Sequence, residues 1–129
     1  MPASEPSSPR LLRLWYAVGA GLLLLAAIVS LIPLQADIGV GDKPSHLLVY
    51  FVLSGWFSLI AADRAILLYS LVGLVIFGIL IEGLQGLTGY RYAEWGDVFA
   101  NSLGCLLGSI GYLPPLRRLF AVIDARLAL

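Results

Sequence analysis

The stretch AILLYSLVGLVIFGILIEGLQG, residues 65–86, decides the fold class. From Ala65 to Ile81 it carries no charge, and it then meets Glu82. A run this long and apolar predicts a helix able to cross a hydrocarbon layer about 30 Å thick. The helix is expected to continue to about Gly86, where Gly86 and Gly89 permit termination. Glu82 stands near its far end. It is 17 residues past Ala65, or about 26 Å along the axis at 1.5 Å per residue. An ionisable group inside a span is costly and is a functional candidate by default.

Working upstream, Asp63-Arg64 makes a tight connection. Before it, Leu47–Ala62 is uncharged and follows Gly41-Asp42-Lys43-Pro44-Ser45. Pro44 suits a first helical turn, where its missing N–H is no loss. Further back, Leu14–Ile32 is uncharged and Pro33 ends it. A cleavable signal peptide is the rival reading for this run. It is longer than an ordinary signal core, and Leu34-Gln35-Ala36 is a poor cleavage site, so a retained helix is expected. The opening MPASEPSSPR is too polar and proline-rich to fold and reads as a disordered cytoplasmic tail.

Downstream, a polar loop runs from Tyr90 to Gly96, and a fourth span follows from Asp97 to Leu113, closed by Pro114-Pro115. Leu116–Leu129 carries Arg117, Arg118 and Arg126 and suits a short amphipathic interfacial helix. The expected fold is therefore an all-α membrane protein. A bundle of four transmembrane helices, at about 14–33, 44–62, 65–86 and 97–113, fills a domain 11–116 between tails 1–10 and 117–129.

Composition agrees. Of the 129 residues, 60% are apolar and only 12% charged, with mean hydropathy +0.93. Soluble domains carry about 25% charged residues, so a soluble globular domain is excluded. Lys+Arg and Asp+Glu balance at 8 each, which gives no basic field for nucleic acid. A single cysteine excludes an intramolecular disulfide.

Basic residues set the orientation. Arg10, Arg13, Arg64, Arg117, Arg118 and Arg126 fall on one side of the expected spans, and only Lys43 and Arg91 on the other. The asymmetry predicts both termini in the cytoplasm. Trp15, Tyr16, Tyr90, Tyr92, Trp95 and Tyr112 fall near the expected interfaces, as aromatic belts do.

With this topology the unusual polar groups converge on the outer side. Asp42, Lys43 and His46 open the second helix. Glu82 and Gln85 close the third, Arg91 and Glu94 lie in the loop, and Asp97 and Asn101 open the fourth. Asp42 and His46 are i,i+4, as are Asp97 and Asn101, while Glu82 and Gln85 are i,i+3 and share a face. The inner halves hold nothing comparable. The expectation is a shallow outward pocket, not a path through the bilayer. The two Asp-x-x-x-(His/Asn) pairs lie 55 residues apart, but the same offset carries Glu82 and Gln85 onto Ala27 and Ser30, where the likeness fails. Gly104, Gly108 and Gly111 form a small-residue stripe below Asn101, and Gly78 and Gly86 flank Glu82. The third and fourth helices are expected to pack through these stripes.

Each of these residues also has a plainer reading. Asp97 could be a helix N-cap. His46 could sit at the interface without a role, Arg91 could be a solvated loop charge, and Trp56 and Phe57 could be packing or lipid-facing residues. Cys105 could be small apolar filler. Glu82 needs a partner, for which His46, Arg91 and Gln85 are available, and it could belong to a purely structural ion pair.

The string Asp42-Lys43-x-x-His46, Glu82-x-x-Gln85, Arg91, Asp97-x-x-x-Asn101-x-x-Gly104-x-x-x-Gly108 resembles the VanZ-like family of small bacterial membrane proteins. The similarity covers about Asp42 to Gly108. It implies a place in the bacterial cytoplasmic (inner) membrane and a link to teicoplanin, a glycopeptide that acts on the cell wall outside the membrane. It carries over no cofactor and no catalytic residue.

Two functions follow as expectations. The first is a binding protein whose Asp42, Lys43, His46, Glu82, Gln85, Arg91, Asp97 and Asn101 hold a polar headgroup of a membrane lipid, a lipid-linked envelope precursor or a glycopeptide. Arg91 and Lys43 would meet phosphate, and Asn101 and Gln85 would meet sugar or peptide. The second is an integral membrane enzyme on such a lipid. Its catalytic candidates are His46, Glu82 and Asp97, working by acid–base chemistry or by holding a divalent metal. The chain has no HExxH, no nucleophile with an evident base and no phosphate-cradling loop, so this reading ranks second; no metal and no cofactor is expected. A transporter is disfavoured for a monomer, although a homo-oligomer could build a pore.

Overall fold

The computed structural model describes residues 9–32, 42–89 and 93–129. These residues form five α-helices and no strand: α1 Leu12–Leu31, α2 Asp42–Ile60, α3 Arg64–Leu87, α4 Trp95–Gly108 and α5 Pro114–Leu127. A 3-10 turn at Ser109–Tyr112 extends α4. The described residues make an all-helical fold. Two helices, α1 and α3, are long and apolar enough to cross a membrane. The α4 run and α5 are bent by 69° at their junction and would together make a third such element. Most of the expected N-terminal tail lies outside the described residues.

Each of the first four helices begins one or two residues ahead of its expected start, and local chemistry explains two of these starts. Asp63 caps α3 by accepting a 2.8 Å hydrogen bond from the Ile66 N–H. Glu94, in extended conformation, precedes α4, and Asp97 N–H bonds back to its carbonyl. Ile32 closes α1 with ψ 149°, as the residue before a proline prefers. Past α3, Gly89 takes φ +80°, a left-handed conformation that glycine adopts without a Cβ clash.

Alternating helix directions bring four ends together at each pole. At one pole stand the start of α1, the end of α2, the start of α3 and α5. Asp124 of α5 binds the open N-terminus of α1: the Arg10 N–H donates to Oδ2 at 2.6 Å and the Leu11 N–H to Oδ1 at 3.0 Å. The Trp15 indole N–H also donates to Oδ1, at 2.7 Å. Arg117 Nη2 donates to the carbonyl of Ala61, just past the end of α2, at 2.7 Å. Trp15, Trp56 and Phe120 meet edge to face over Ile60. Trp15 is therefore buried in an internal aromatic cluster and is not a belt residue, because its indole N–H has a carboxylate to bind inside the bundle.

The opposite pole holds the end of α1, the start of α2, the end of α3 and the start of α4. Here α2 and α4 run parallel through the centre of the bundle. Their seam corrects the expected partner of the glycine stripe, which packs on α2 and not on α3. A Cβ on Gly104 would meet the Leu47 carbonyl oxygen, one on Gly108 would lie 2.5 Å from the Phe51 oxygen, and one on Gly111 would lie 2.7 Å from the Gly55 oxygen. The reason is on α2, where Ser54, Gly55 and Ser58 keep the facing surface low. Ser54 Oγ donates to the Cys105 carbonyl across the seam at 2.6 Å. Cys105 packs with Tyr50, Leu53 and Leu74 in the core. Gly78 of α3 does face α4, with Asn101 and Tyr50 against it.

The outside of α1 and α3 is apolar. Leu24, Leu25, Leu68, Val72, Leu80 and Leu84 are all exposed. The inside of the same α3 holds Glu82 and Gln85. Apolar outside and polar inside is the arrangement of a helix whose solvent is lipid.

Candidate functional site

His46 lies one turn into α2, Glu82 one turn from the end of α3, and Asp97 and Asn101 in the first two turns of α4. All four are at most 8% exposed. His46 Nδ1 lies 2.9 Å from Asn101 Oδ1. Its other nitrogen, Nε2, lies 3.9 Å from Asp97 Oδ2. One ligating atom from each of His46, Glu82 and Asp97 falls within 4.8 Å of the others. Three helices thus bring an imidazole and two carboxylates to one point, with a primary amide behind the imidazole.

Asn101 sets the state of the ring. With its Oδ1 as acceptor, Nδ1 carries a hydrogen and Nε2 is the nitrogen that faces Asp97 Oδ2. Glu82 is oriented from the loop, where the Glu94 N–H donates to its Oε1 at 2.7 Å. The same bond fixes the start of α4, so Glu82 supports the structure as well as the site. Asp97 Oδ1 is buried and finds no hydrogen-bond partner among the described residues.

The N-cap reading of Asp97 is corrected. Glu94 occupies the cap position and Asp97 is the third residue of α4, with its carboxylate turned to His46. The first turn of a helix still favours an anion there.

Not every expected residue joins. Gln85 is buried but turns to α1, its Nε2 donating to the Ser30 carbonyl at 2.8 Å. Lys43 lies at the rim in an exposed 3.2 Å ion pair with Glu94, its Cε over Gly96. Asp42 opens α2, and Arg91 lies outside the described residues. A pocket of about 270 Å³ adjoins the cluster, lined by Ile79, Glu82, Gly83, Ala93, Glu94, Trp95 and Val98. Glu82 is therefore shared between the buried cluster and the pocket wall. A second hollow of about 320 Å³ between α1 and α2 is apolar except for Ser30.

Sequence reasoning missed the Glu94 backbone bond, Ser54 and Asp124. Ser54 and Ser58 on α2 are four apart, the same small-residue signal that Gly104 and Gly108 give on α4. Asp124 is an acid in an otherwise basic tail, and its partner is an indole and two backbone amides more than a hundred residues away.

No protein-family profile matches the chain, and no curated protein or solved structure matches it.

Proposed function

We propose that the chain is a four-span protein of the bacterial inner membrane, similar to the VanZ-like family, with both termini in the cytoplasm. Its outward pocket binds the polar headgroup of a membrane lipid or lipid-linked envelope precursor. In that topology the Asp124 pole is cytoplasmic and the His46 pole is outward. α2, with 19 residues, is about 28 Å long, within about 2 Å of the hydrocarbon thickness.

One observation carries the reading: a buried His46–Glu82–Asp97–Asn101 cluster borders a half-open pocket at one pole of an apolar bundle. A polar headgroup seated against Glu82, Glu94 and Trp95 would keep its tails in the surrounding lipid. The cost of burying four polar groups is hard to explain by stability alone, since apolar replacements of buried ion pairs are often neutral or stabilising.

The same cluster supports a second reading, an integral membrane enzyme on such a lipid. The specific observation in its favour is that His46 and two carboxylates converge on one point. A glycopeptide ligand, and a role in teicoplanin-type resistance, rest on the family resemblance alone.

The test is to purify the protein in its native lipid and identify the retained lipids by mass spectrometry. The parent should retain one headgroup class above its bulk abundance. His46→Ala and Asp97→Asn should lose that enrichment while remaining folded. A retained-lipid profile equal to the bulk membrane, unchanged in both variants, overturns headgroup binding.

A further inference from the structure

We infer that His46 Nε2 and the carboxylates of Glu82 and Asp97 form a divalent-cation site of the zinc class at the floor of the pocket. The inference rests on the reading of this cluster as the functional site and states what occupies it.

In the neutral ring whose Nδ1–H goes to the Asn101 carbonyl, Nε2 presents a lone pair. What faces it, 3.9 Å away, is the carboxylate oxygen Asp97 Oδ2. Two acceptors cannot bond to each other, and the gap is too long for a hydrogen bond even with a proton on Nε2. It is close to the separation of two ligands on one cation, about 3.4 Å for tetrahedral bonds of 2.0–2.1 Å. The Glu82 carboxylate completes a group within 4.8 Å, about 1.4 Å wider than that tetrahedral separation, so an ion would draw the carboxylates inward.

A second observation is independent of that spacing. Asp97 is 5% exposed, yet its Oδ1 finds no donor among the described residues. A buried carboxylate oxygen without a donor is costly, and a cation removes the cost. The supports around the group are also those of a metal site. A metal-bound imidazole commonly donates its other N–H to a carbonyl, and Asn101 supplies one.

One imidazole and two carboxylates, with no thiolate, select zinc or another borderline first-row ion over a soft one. Three protein ligands leave a fourth position open, and Glu82 places the group at the pocket wall. The ion also changes what the pocket can accept. Alone, Glu82 and Asp97 would repel an anionic headgroup. With a divalent ion between them, the open position takes an anionic oxygen such as a phosphate oxygen, which Lys43, paired with Glu94, is not needed to hold.

The test uses the intact chain in lipid nanodiscs, stripped with a chelator and then titrated with Zn²⁺ against a chromophoric competitor, and separately with Co²⁺. The parent should bind one ion per chain, and its Co²⁺ form should show the intense visible bands of four-coordinate cobalt. His46→Ala and Asp97→Asn should each weaken Zn²⁺ binding by about tenfold or more. Asn101→Leu should weaken it too, while Asn101→Asp, which still accepts the Nδ1–H, should restore it. Less than one ion per parent chain, or equal affinity in parent and both ligand variants, overturns the inference. Where a variant does not fold, the parent's cobalt spectrum decides: weak six-coordinate bands overturn the site. A parent that binds no ion but keeps its selected lipid overturns the cation site and leaves headgroup binding standing. A parent that binds the ion but selects no lipid does the reverse.

Discussion

His46 and Asn101 join the parallel helices α2 and α4 through a buried 2.9 Å hydrogen bond between Nδ1 and Oδ1. The bond ties the site to the scaffold, because it lies above the same seam that Gly104 and Gly108 close. Asn101→Leu would leave the Nδ1–H buried without an acceptor, at a cost of about 1–3 kcal/mol. Asn101→Asp keeps an acceptor and should cost less. Thermal unfolding of the two variants beside the parent checks this. Equal losses would show that the amide's hydrogen bond to His46 contributes nothing.

The seam itself makes a sharper contrast. Gly104→Ala and Gly108→Ala each push a methyl group into α2 backbone, which cannot rotate away, and overpacking of this kind costs about 1–3 kcal/mol. Gly104→Leu should be worse and should reduce the folded yield. Gly83→Ala on α3 meets nothing within 4 Å and gives up only glycine's flexibility, so it should be neutral or mildly stabilising. Fluorescence size-exclusion yield and melting temperature rank the four proteins. A Gly104→Ala variant as stable as Gly83→Ala would contradict the close approach of α2 and α4.

Asp124 gives a pH dependence whose sign can be worked out. Burial works against its carboxylate, but the bonds from Trp15, Leu11 and Arg10 and the Arg10 charge outweigh it and hold the carboxyl below its ordinary value. A carboxyl lowered in the folded state contributes stability above the unfolded value, about 3.9, and loses it as pH falls through the lower folded value. Melting temperatures from pH 6 to pH 3 should therefore fall more steeply for the parent than for Asp124→Asn. At pH 7 Asp124→Ala should cost about 0.5–2 kcal/mol, the range of a lost helix cap. Parallel pH curves would remove Asp124 from the account.

The sequence carried the helices because each is an apolar run bounded by charge, glycine or proline. It carried the meeting of His46, Glu82, Asp97 and Asn101 because alternating directions and helical phase put all four at one pole. It could not carry the partner of the glycine stripe. Gly104 and Gly108 say only that something comes close, and α2 and α3 both offer small residues. Nor could it carry the direction of Gln85: helical phase places it on the face of Glu82, but a long amide can reach either α1 or α4, and the Ser30 carbonyl is the nearer need at the end of α1. The offset of 55 gains meaning only in three dimensions. His46 pairs with Asn101 and Ser30 with Gln85, both 55 apart, so corresponding positions of the two hairpins touch each other although their side chains differ.

Orientation can be measured directly. In a Cys105→Ser background, single cysteines at Gly39 and Ala93 should react with an impermeant maleimide applied from outside, and those at Ser7 and Asp63 should not. Asp63 belongs to the pole that Asp124 closes, and Ala93 to the pole of Glu82. Labelling at Asp63 in intact cells would turn the bundle over and put the pocket on the cytoplasmic face.

Glu82 separates structure from chemistry most cleanly. Its Oε1 accepts the Glu94 N–H at 2.7 Å, and that bond holds the residue just before α4. Glu82→Gln keeps the volume and an oxygen for this bond and removes only the charge. Glu82→Leu keeps much of the volume and removes both. If the residue serves only as an anchor, Gln should match the parent in lipid selectivity and phenotype, and Leu alone should lose stability, by about 1–3 kcal/mol for the buried N–H left without an acceptor. If the charge takes part in the site, Gln should stay folded and still lose lipid enrichment or in-cell function. We expect the second outcome, because Glu82 also lines the pocket and stands within 4.8 Å of the ligating atoms of His46 and Asp97. The two measurements belong on the same preparation, melting temperature beside retained-lipid analysis. A Gln variant that folds, selects the same lipid and supports the same phenotype would leave Glu82 as a loop anchor and remove it from the site.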